Sequence, residues 1–391
     1  MSFFGKTYHA VLKVVGGPID SAYNRYTEKK YCDGEGGLLL HSYYVRDYKK
    51  LFSSPKSLLN GHFARKLIFV HYCHTRGFSA ADWTAMNISD DSYSKYLSTL
   101  QYCKMHPINR EYSKWIDDKL TLKYLCYGTK LNQYLPDYYY QIDSDGKVLC
   151  LTEGNEIENG QSGFESICKL LLNKRTLAFK QISGTIGQGF YKAEFNSGHY
   201  YLNGREMTVE QFLGEVKKLR NYLITEYLFP HPYLSEFSNQ SVNCIRYTAG
   251  RVDDRMIPIK CFIRFGTKQT GYVENYGAGG VLCFINQDGL FSQGNMYNFQ
   301  LDKNEIINNH PDNGKRLSGT IPMWDEIEKV VRLFGSHFPQ LNYLGFDFAV
   351  TDKNKIKILE INSFTTLSTL QFYNSILESV EGNFFRERLS N

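Results

Sequence analysis

The pattern of hydrophobic and polar positions changes near residue 105. Before that point, apolar residues recur at helical spacing in segments such as 64–73 and 92–102, and links rich in Gly and Asn separate them. No catalytic pattern occurs in this part. After it, short apolar runs alternate with helical segments. The pattern predicts a mainly helical N-terminal lobe over residues 1–105, followed by a larger body of strands and helices.

Local signals place the elements of this larger body. Ser113 is predicted to cap a helix that runs to about residue 127 and ends at Gly128. Thr208 and Gln211 form a capping box for a helix that runs to about residue 218. Strands are predicted at 138–142, 147–151, 177–182, 190–195, 222–228, 343–350 and 355–362, and further helices at 163–173, at 324–336 and after Thr369. Strands and helices in mixed order, with several hairpins, predict an α+β fold with antiparallel sheets.

Composition and charge restrict the class of protein. Hydrophobic residues make up 42% and charged residues 22%, and the net charge of +5 is too mild to require nucleic acid. Basic residues near 48–50 and 63–66 are compatible with a solvated helix face or with peripheral contact on an anionic membrane. Nine scattered cysteines without a C-x-x-C pair, and no apolar run near the ~20 residues of a membrane span, predict a cytoplasmic protein.

The last two predicted strands carry the strongest chemical signal. A turn centred on residues 353–354 would place Asp347 opposite Glu360, and the period of two puts Asn362 on the same face as Glu360. Two facing carboxylates destabilise a hairpin by up to ~1 kcal/mol, which a bound cation reverses. Carboxylate and amide oxygens suit Mg²⁺. We therefore predict a magnesium site at Asp347, Glu360 and Asn362.

A second signal is the glycine-rich loop that follows Lys180. Gly184, Gly187 and Gly189 would let backbone N–H groups approach phosphate oxygens, although a flexible hairpin tip is the alternative. No Gly-Lys-Ser/Thr closes the loop, so it is not a P-loop. Lys180 lies mid-strand among apolar residues, where an unpaired ammonium is costly, and an anionic partner is expected.

These features together resemble a known superfamily. The order of a mid-strand lysine, a glycine-rich flap, a strand ending at Glu226, and a late Asp followed by Leu-Glu-Ile-Asn is similar to the ATP-grasp superfamily. More narrowly, the chain resembles the sugar-transfer-associated ATP-grasp proteins of bacterial surface-polysaccharide gene clusters. The matching pieces, spread over roughly residues 105–375, are 116–119, 177–180, 241–246, 273–276 with 279–280, and 345–347.

The resemblance implies a fold and a division of the chain. It implies an ATP-grasp fold, in which two α+β subdomains with antiparallel sheets hold the nucleotide between them. The helical lobe would cover residues 1–105, and the small subdomain with its linker and hinge would cover 106–228. The large subdomain with the metal site would cover 229–391.

The resemblance also assigns roles to individual residues. Contacts to ATP are expected from Lys119, Lys180, Gly184, Gly187, Gly189, Glu226, Tyr227, Leu228 and Glu236. Magnesium would be held by Asp347, Glu360 and Asn362. Catalytic roles fall to Lys180, Arg246 and Arg264. The two arginines would stabilise charge on the transferred phosphate or on an acyl-phosphate; an ordinary cross-strand charge is the alternative for Arg246. Asn243 and Asn275 are either substrate contacts or turn residues.

The implied activity is an ATP- and magnesium-dependent carboxylate–amine ligase. It would activate a carboxylate as an acyl-phosphate for attack by an amine, on a sugar acid or amino acid of surface-polysaccharide biosynthesis. Small-molecule or sugar-linked substrates are expected as partners. A kinase acting on a sugar hydroxyl and a non-catalytic ATP-binding scaffold are the two alternatives.

Overall fold

The computed structural model describes residues 35–52, 62–152, 162–184, 189–298, 303–372 and 374–390. The chain divides into two compact units, one formed by Met1–Glu111 with Phe364–Asn391 and the other by Tyr112–Ser363. The sequence-based division, with boundaries at residues 105 and 228, separates parts with different expected functions, and it stays a prediction.

The described helices and strands are numbered here in chain order. The helices are α1 Glu35–Phe52, α2 His62–Thr75, α3 Ala80–Ala85, α4 Thr99–Met105, α5 Lys119–Cys126, α6 Gly163–Lys174, α7 Val209–Val216, α8 Pro232–Ser235, α9 Trp324–His337, α10 Leu367–Gln371 and α11 Asn383–Ser390. The strands are β1 Tyr138–Ile142, β2 Val148–Cys150, β3 Thr176–Gln181, β4 Tyr191–Asn196, β5 His199–Leu202, β6 Arg205–Met207, β7 Tyr222–Glu226, β8 Ile245–Val252, β9 Arg255–Phe265, β10 Val281–Ile285, β11 Leu290–Ser292, β12 Gly294–Asn298, β13 Lys303–Ile307, β14 Ser318–Thr320, β15 Tyr343–Val350 and β16 Ile356–Asn362.

The first unit is helical over its described residues, as the N-terminal pattern predicts. Helix α2 includes the predicted segment 64–73. The predicted helix over 92–102 is wrong in part, because a 3-10 turn at Tyr93–Lys95 precedes α4. Ser98 starts α4 through a capping box with Gln101, and this local hydrogen bonding begins a new helix there. None of the helices described in either unit is long and apolar enough to cross a membrane.

The second unit contains two antiparallel sheets. The first sheet has the order β2-β1-β7-β3-β4-β5-β6. Apolar residues of α6 and α7, among them Leu171 and Phe212, form one core with this sheet. The prediction of antiparallel sheets with helices in mixed order is confirmed.

The larger sheet has the order β13-β12-β10-β9-β8-β15-β16, with β11 and β14 attached to β10. Helix α9 contributes Ile327, Val330 and Phe334 to the core that includes this sheet. In the ladder of β15 and β16, Asp347 pairs with Glu360 as predicted, but the turn alone does not produce this pairing: Phe348 pairs with Ile358, and the register shifts by one residue between Asp347 and Phe348. On its other side, Asp347 pairs with Arg246 of β8.

Some predicted boundaries are wrong. Ser113 does not cap a long helix, because residues Arg110–Trp115 form a 3-10 helix. Helix α5 begins only at Lys119, where the Asp118 carboxylate accepts a hydrogen bond from the Thr121 N–H at 2.7 Å. Asp118 therefore provides the cap, which fixes Lys119 as the first helical residue. At the C-terminus, α10 begins at Leu367, before Thr369, and α11 is a separate helix.

The capping box of α7 gives a test of local stability. Thr208 accepts a hydrogen bond from the Gln211 N–H, and the Gln211 side chain accepts one from the Thr208 N–H. Thr208→Ala is expected to lower the free energy of unfolding by about 1 kcal/mol, measured by urea denaturation. Ser336→Ala, on the exposed part of α9, is the control and should change it by less than about 0.5 kcal/mol. An equal effect of the two substitutions would contradict a capping role.

Candidate functional site

Two arginines converge on the buried carboxylate of Asp347. Arg246 donates from Nε to Oδ1 at 2.6 Å and from Nη2 to Oδ2 at 2.9 Å. The Nη2 atom of Arg264 lies 3.1 Å from the same Oδ1 atom, and the Asp347 side chain is 4% exposed. Burial alone would raise the pKa of Asp347, but Arg246 and then Arg264 hold it well below its ordinary value. Asp347 is therefore a carboxylate anion.

Glu360, the cross-strand partner of Asp347, is paired with a lysine. The Lys119 Nζ atom lies 3.0 Å from Glu360 Oε2 and donates a hydrogen bond to the Gly184 carbonyl at 3.1 Å. The amide of Asn362 approaches Glu360 Oε1 at 3.4 Å, so these two side chains share a face as predicted. Lys119 thus connects β16 of the larger sheet with the glycine-rich loop of the first sheet.

The end of β16 is held against the residues before α5. Asp117 accepts hydrogen bonds from the Ser363 N–H at 2.8 Å and from the Ser363 hydroxyl at 2.6 Å. These bonds fix the start of α5 next to Asn362. The Lys119 ammonium is consequently directed toward Glu360 by backbone placement as well as by charge.

Lys180 is another basic residue of the site, near Lys119 and Glu360. It lies on β3, and Lys119, Glu360 and Glu274 are close enough to affect its charge. Burial first, and then the positive charge of Lys119, lower the pKa of Lys180 to about 8. A lysine of this kind gains stability from an anion beside it.

The flap glycines are described only in part. Gly184 and Gly189 lie at the two ends of the loop, whereas Gly187 lies outside the described residues. Gly189 has a φ of +70°, and a Cβ atom there would meet the Tyr222 hydroxyl at 2.5 Å. The sequence prediction of a loop that needs glycine is therefore supported at Gly189.

The predicted hinge residues follow the end of β7. The Glu226 N–H donates to the Asp137 carbonyl at 2.8 Å, and its carboxylate lies 3.4 Å from the Asp137 nitrogen. Leu228 is buried, and the Tyr227 ring packs beside Phe229. Glu236 is more than half exposed and forms an ion pair with Lys315. The described contacts do not bring Glu236 together with the other candidate residues.

The two asparagines have turn contacts in this structure. Asn243 is fully buried with a φ of +54°, and its amide donates to the carbonyls of Leu234 and Ser238 at 3.0 and 2.7 Å. Asn275 accepts a hydrogen bond from the Gly277 N–H at 3.0 Å at the start of a 3-10 turn. These bonds are turn contacts, and a role of either residue as a substrate contact stays a prediction.

Sequence reasoning missed two groups beside Arg264. Arg264 Nη2 donates to the Cys244 sulfur at 2.9 Å, and the Glu274 carboxylate is close enough to affect the charge of Arg264. Burial raises the pKa values of Cys244 and Glu274, so the Cys244 thiol stays protonated. Glu274 lies in the segment 273–276 that carries part of the family resemblance, directly before Asn275, so the sequence does contain a signal for it.

The oxygen donors fit a magnesium ion that is shared with phosphate. Asp347, Glu360 and Asn362 supply two carboxylates and an amide on adjacent strands. Among the described residues, no group of three or more His, Cys, Asp or Glu side chains could hold a metal by itself. Mg²⁺ is commonly bound by one or two carboxylates together with substrate phosphates, so this donor set suits that arrangement.

Comparison with known proteins assigns the chain to a family. The family model described as sugar-transfer associated ATP-grasp matches residues 101–381, which is most of the chain. The chain belongs to this family. The ATP-grasp fold expected from the sequence resemblance is thereby confirmed, with its mixed helices and antiparallel sheets. No curated protein has a matching sequence.

Several solved structures are similar to this ATP-grasp chain at low identity. D-alanyl-alanine synthetase A from Vibrio cholerae has a TM-score of 0.39 and 12% identity, over 71% of this chain and 64% of that one. The ATP-grasp ligase PsnB complexed with minimal precursor has a TM-score of 0.35 and 10% identity, over 72% and 62%. L-amino acid ligase from Bacillus licheniformis has a TM-score of 0.35 and 6% identity, over 69% and 48%. The chain thus spans less than two thirds of the length of each.

Proposed function

We propose that this protein is an ATP- and magnesium-dependent ligase that joins a carboxylate to an amine through an acyl-phosphate. The observation that carries the proposal is the cross-strand row of Arg246, Asp347 and Glu360, with Lys119 paired to Glu360. Phosphoryl transfer depends mainly on positioning and charge neutralisation, and this row provides both kinds of group in one place. The sugar-transfer association of the family supports a sugar acid or amino acid as substrate.

Each group has a distinct part in this proposal. Lys119 and Lys180 bind nucleotide phosphates, and the loop from Gly184 to Gly189 folds over them. Glu226 accepts a hydrogen bond from the adenine amino group, while the backbone of Tyr227 and Leu228 lines the ring. Glu236 would contact the ribose only if it left Lys315.

The acidic residues and the arginines act on the transferred phosphate. Asp347, Glu360 and Asn362 would hold Mg²⁺, which when bound neutralises phosphate charge. Arg246 and Arg264 stabilise negative charge on the transferred group. Asn243 and Asn275 shape the loops on the acceptor side.

The domain roles belong to the same proposal. Residues 106–228 form the small nucleotide-binding subdomain, and residues 229–391 carry the metal ligands. The helical lobe 1–105 is a family-specific addition, and its basic segments are the candidate surface for peripheral membrane contact. We propose a cytoplasmic setting, next to the synthesis of surface-polysaccharide precursors.

The products of turnover test the ligase activity. The protein is incubated with ATP, Mg²⁺, a panel of sugar acids and a panel of amino acids, and products are separated by mass spectrometry. ADP, free phosphate and a new amide are expected. Phosphate retained on a sugar hydroxyl, with no amide formed, would instead establish a kinase. If ATP with Mg²⁺ gave no thermal stabilisation, ATP binding itself would be excluded.

The lowered pKa of Lys180 predicts a pH dependence of nucleotide binding. Below about pH 8 Lys180 carries its charge and pairs with phosphate; above it the amine is neutral, and binding must take up a proton. ADP affinity, measured by calorimetry between about pH 7 and 9, should therefore fall as pH rises through 8, by at most about tenfold per pH unit. Arginine stays charged in this range, so Lys180→Arg should flatten the profile. An unchanged slope in this variant would exclude Lys180 as the titrating group.

A further inference from the structure

Both oxygens of Asp347 already have partners within the protein. Arg246 takes one position on each oxygen, and Arg264 adds a second contact to Oδ1. A magnesium ion binds carboxylate oxygens at about 2.0–2.1 Å, far closer than either guanidinium. A cation at Asp347 would therefore lie against two fixed positive charges. Metal ion and arginine compete for the same carboxylate.

The charge balance around Asp347 increases this competition. Lys119, Lys180, Arg246 and Arg264 face the carboxylates of Asp347, Glu360 and Glu274, which leaves one positive charge in excess. Repulsion between like charges is strong where water is largely excluded, as it is around a carboxylate that is 4% exposed. The site favours an anion first, and the phosphates of a nucleotide are such an anion.

The two arginines differ in the partners that remain to them. Arg264 also donates a hydrogen bond to Cys244 and lies near the Glu274 carboxylate. The charge of Arg264 therefore keeps an acidic neighbour when Asp347 binds another cation. The hydrogen bonds described for Arg246 go to Asp347 alone. Arg246 is therefore the residue that needs a new anion when it leaves Asp347.

We propose that Arg246 guards Asp347: its paired hydrogen bonds keep divalent cations off the carboxylate until nucleotide phosphates offer Arg246 another anion. This inference rests on the proposed nucleotide site and adds an order of events to it. Phosphate binds first, Arg246 moves from carboxylate to phosphate, and Asp347 then becomes available as a metal ligand. Arg264 remains in place beside Glu274.

Binding of Mn²⁺ to the intact protein, followed by the electron paramagnetic resonance of free Mn²⁺, tests the guard. Without nucleotide, the wild-type protein should bind Mn²⁺ weakly. Arg246→Gln removes one competing charge and both of the hydrogen bonds from Arg246 to Asp347, which leaves only Arg264 on Oδ1. This variant should bind Mn²⁺ at least about tenfold more tightly, and a factor of ten corresponds to about 1.4 kcal/mol. Arg264→Gln is the matched variant and should gain less, because Arg246 still covers Asp347. Equal Mn²⁺ affinity in the wild type and Arg246→Gln would overturn the proposal.

Two further measurements keep the outcome clear. Thermal stabilisation of the wild type by ADP in EDTA tests nucleotide binding without a metal ion. If ADP gave no stabilisation, the proposed nucleotide site would be wrong. If ADP stabilised the protein but the protein alone also bound Mn²⁺ tightly, only the proposed role of Arg246 would be wrong. If Arg246→Gln does not fold, Arg246→Lys takes its place. Lysine keeps the charge but cannot make both bonds at once. Arg246→Lys should therefore bind Mn²⁺ more tightly than the wild type does. An affinity no higher than that of the wild type would contradict the proposal.

Discussion

Asp347→Ala is expected to lower the free energy of unfolding by about 3–5 kcal/mol, because it leaves the guanidinium groups of Arg246 and Arg264 without their shared anion. The three side chains are 4%, 12% and 21% exposed, so water cannot fully replace the lost carboxylate. Urea denaturation at pH 7 measures the change. Since the pKa of Asp347 is held well below its ordinary value, the same stabilisation should persist in mildly acidic solution and disappear only at strongly acidic pH.

The control for this prediction lies in the turn that follows the same strand. Asp352 is exposed between β15 and β16, and Asp352→Ala should change the free energy of unfolding by less than about 0.5 kcal/mol. Adding Arg246→Met to Asp347→Ala should restore part of the loss, since one unpaired charge is removed with it. A loss below about 1 kcal/mol for Asp347→Ala would mean that the arginines are effectively solvated.

Lys180→Met is expected to weaken ADP binding by about 10- to 100-fold. A hydrogen bond to a charged group contributes about 1.5–3 kcal/mol, and the half-buried Lys180 has a pKa lowered to about 8 by partial burial and by the charge of Lys119. Methionine keeps most of the length and the apolar contacts of the side chain. Calorimetry with ADP at pH 7 measures the loss.

Lys329→Met provides the comparison for that substitution. Lys329 is exposed on α9 and pairs with Glu326 one turn away. Its replacement should leave ADP affinity unchanged within about twofold, since a surface pair contributes at most about 1 kcal/mol to stability and touches no candidate residue. If both variants bound ADP equally well, the phosphate role of Lys180 would be wrong.

Much of the fold could be predicted because its signals are local. The antiparallel pairing of β15 with β16 follows from the turn between them and from the alternation of residues along each strand, whereas the register shift that sets Asp347 opposite Glu360 has no local signal. The capping box of Thr208 and Gln211 requires only residues three apart. Lys180 is conspicuous because lysine is unfavourable within an apolar strand.

The features of the site that could not be predicted from the sequence depend on contacts between segments that are distant along the chain. The pairing of Arg246 with Asp347 requires β8 to lie beside β15, and a sequence alone does not order the strands of a sheet. The same holds for Cys244 and Glu274, which reach Arg264 only through the larger sheet and the loop before β10. The start of α5 was misplaced because Ser113 and Asp118 are both good capping residues, and only the fold selects Asp118.

The row of Arg246, Asp347 and Glu360 runs across three neighbouring strands. Backbone hydrogen bonds set the spacing of such strands at about 4.8 Å, so the distance between these charges does not depend on the length or sequence of any loop. The loop carrying Glu274 and Asn275 can therefore change without altering the spacing of Arg246, Asp347 and Glu360. An engineer could accordingly exchange that loop, and with it the neighbours of Arg264, while the three charges keep their spacing.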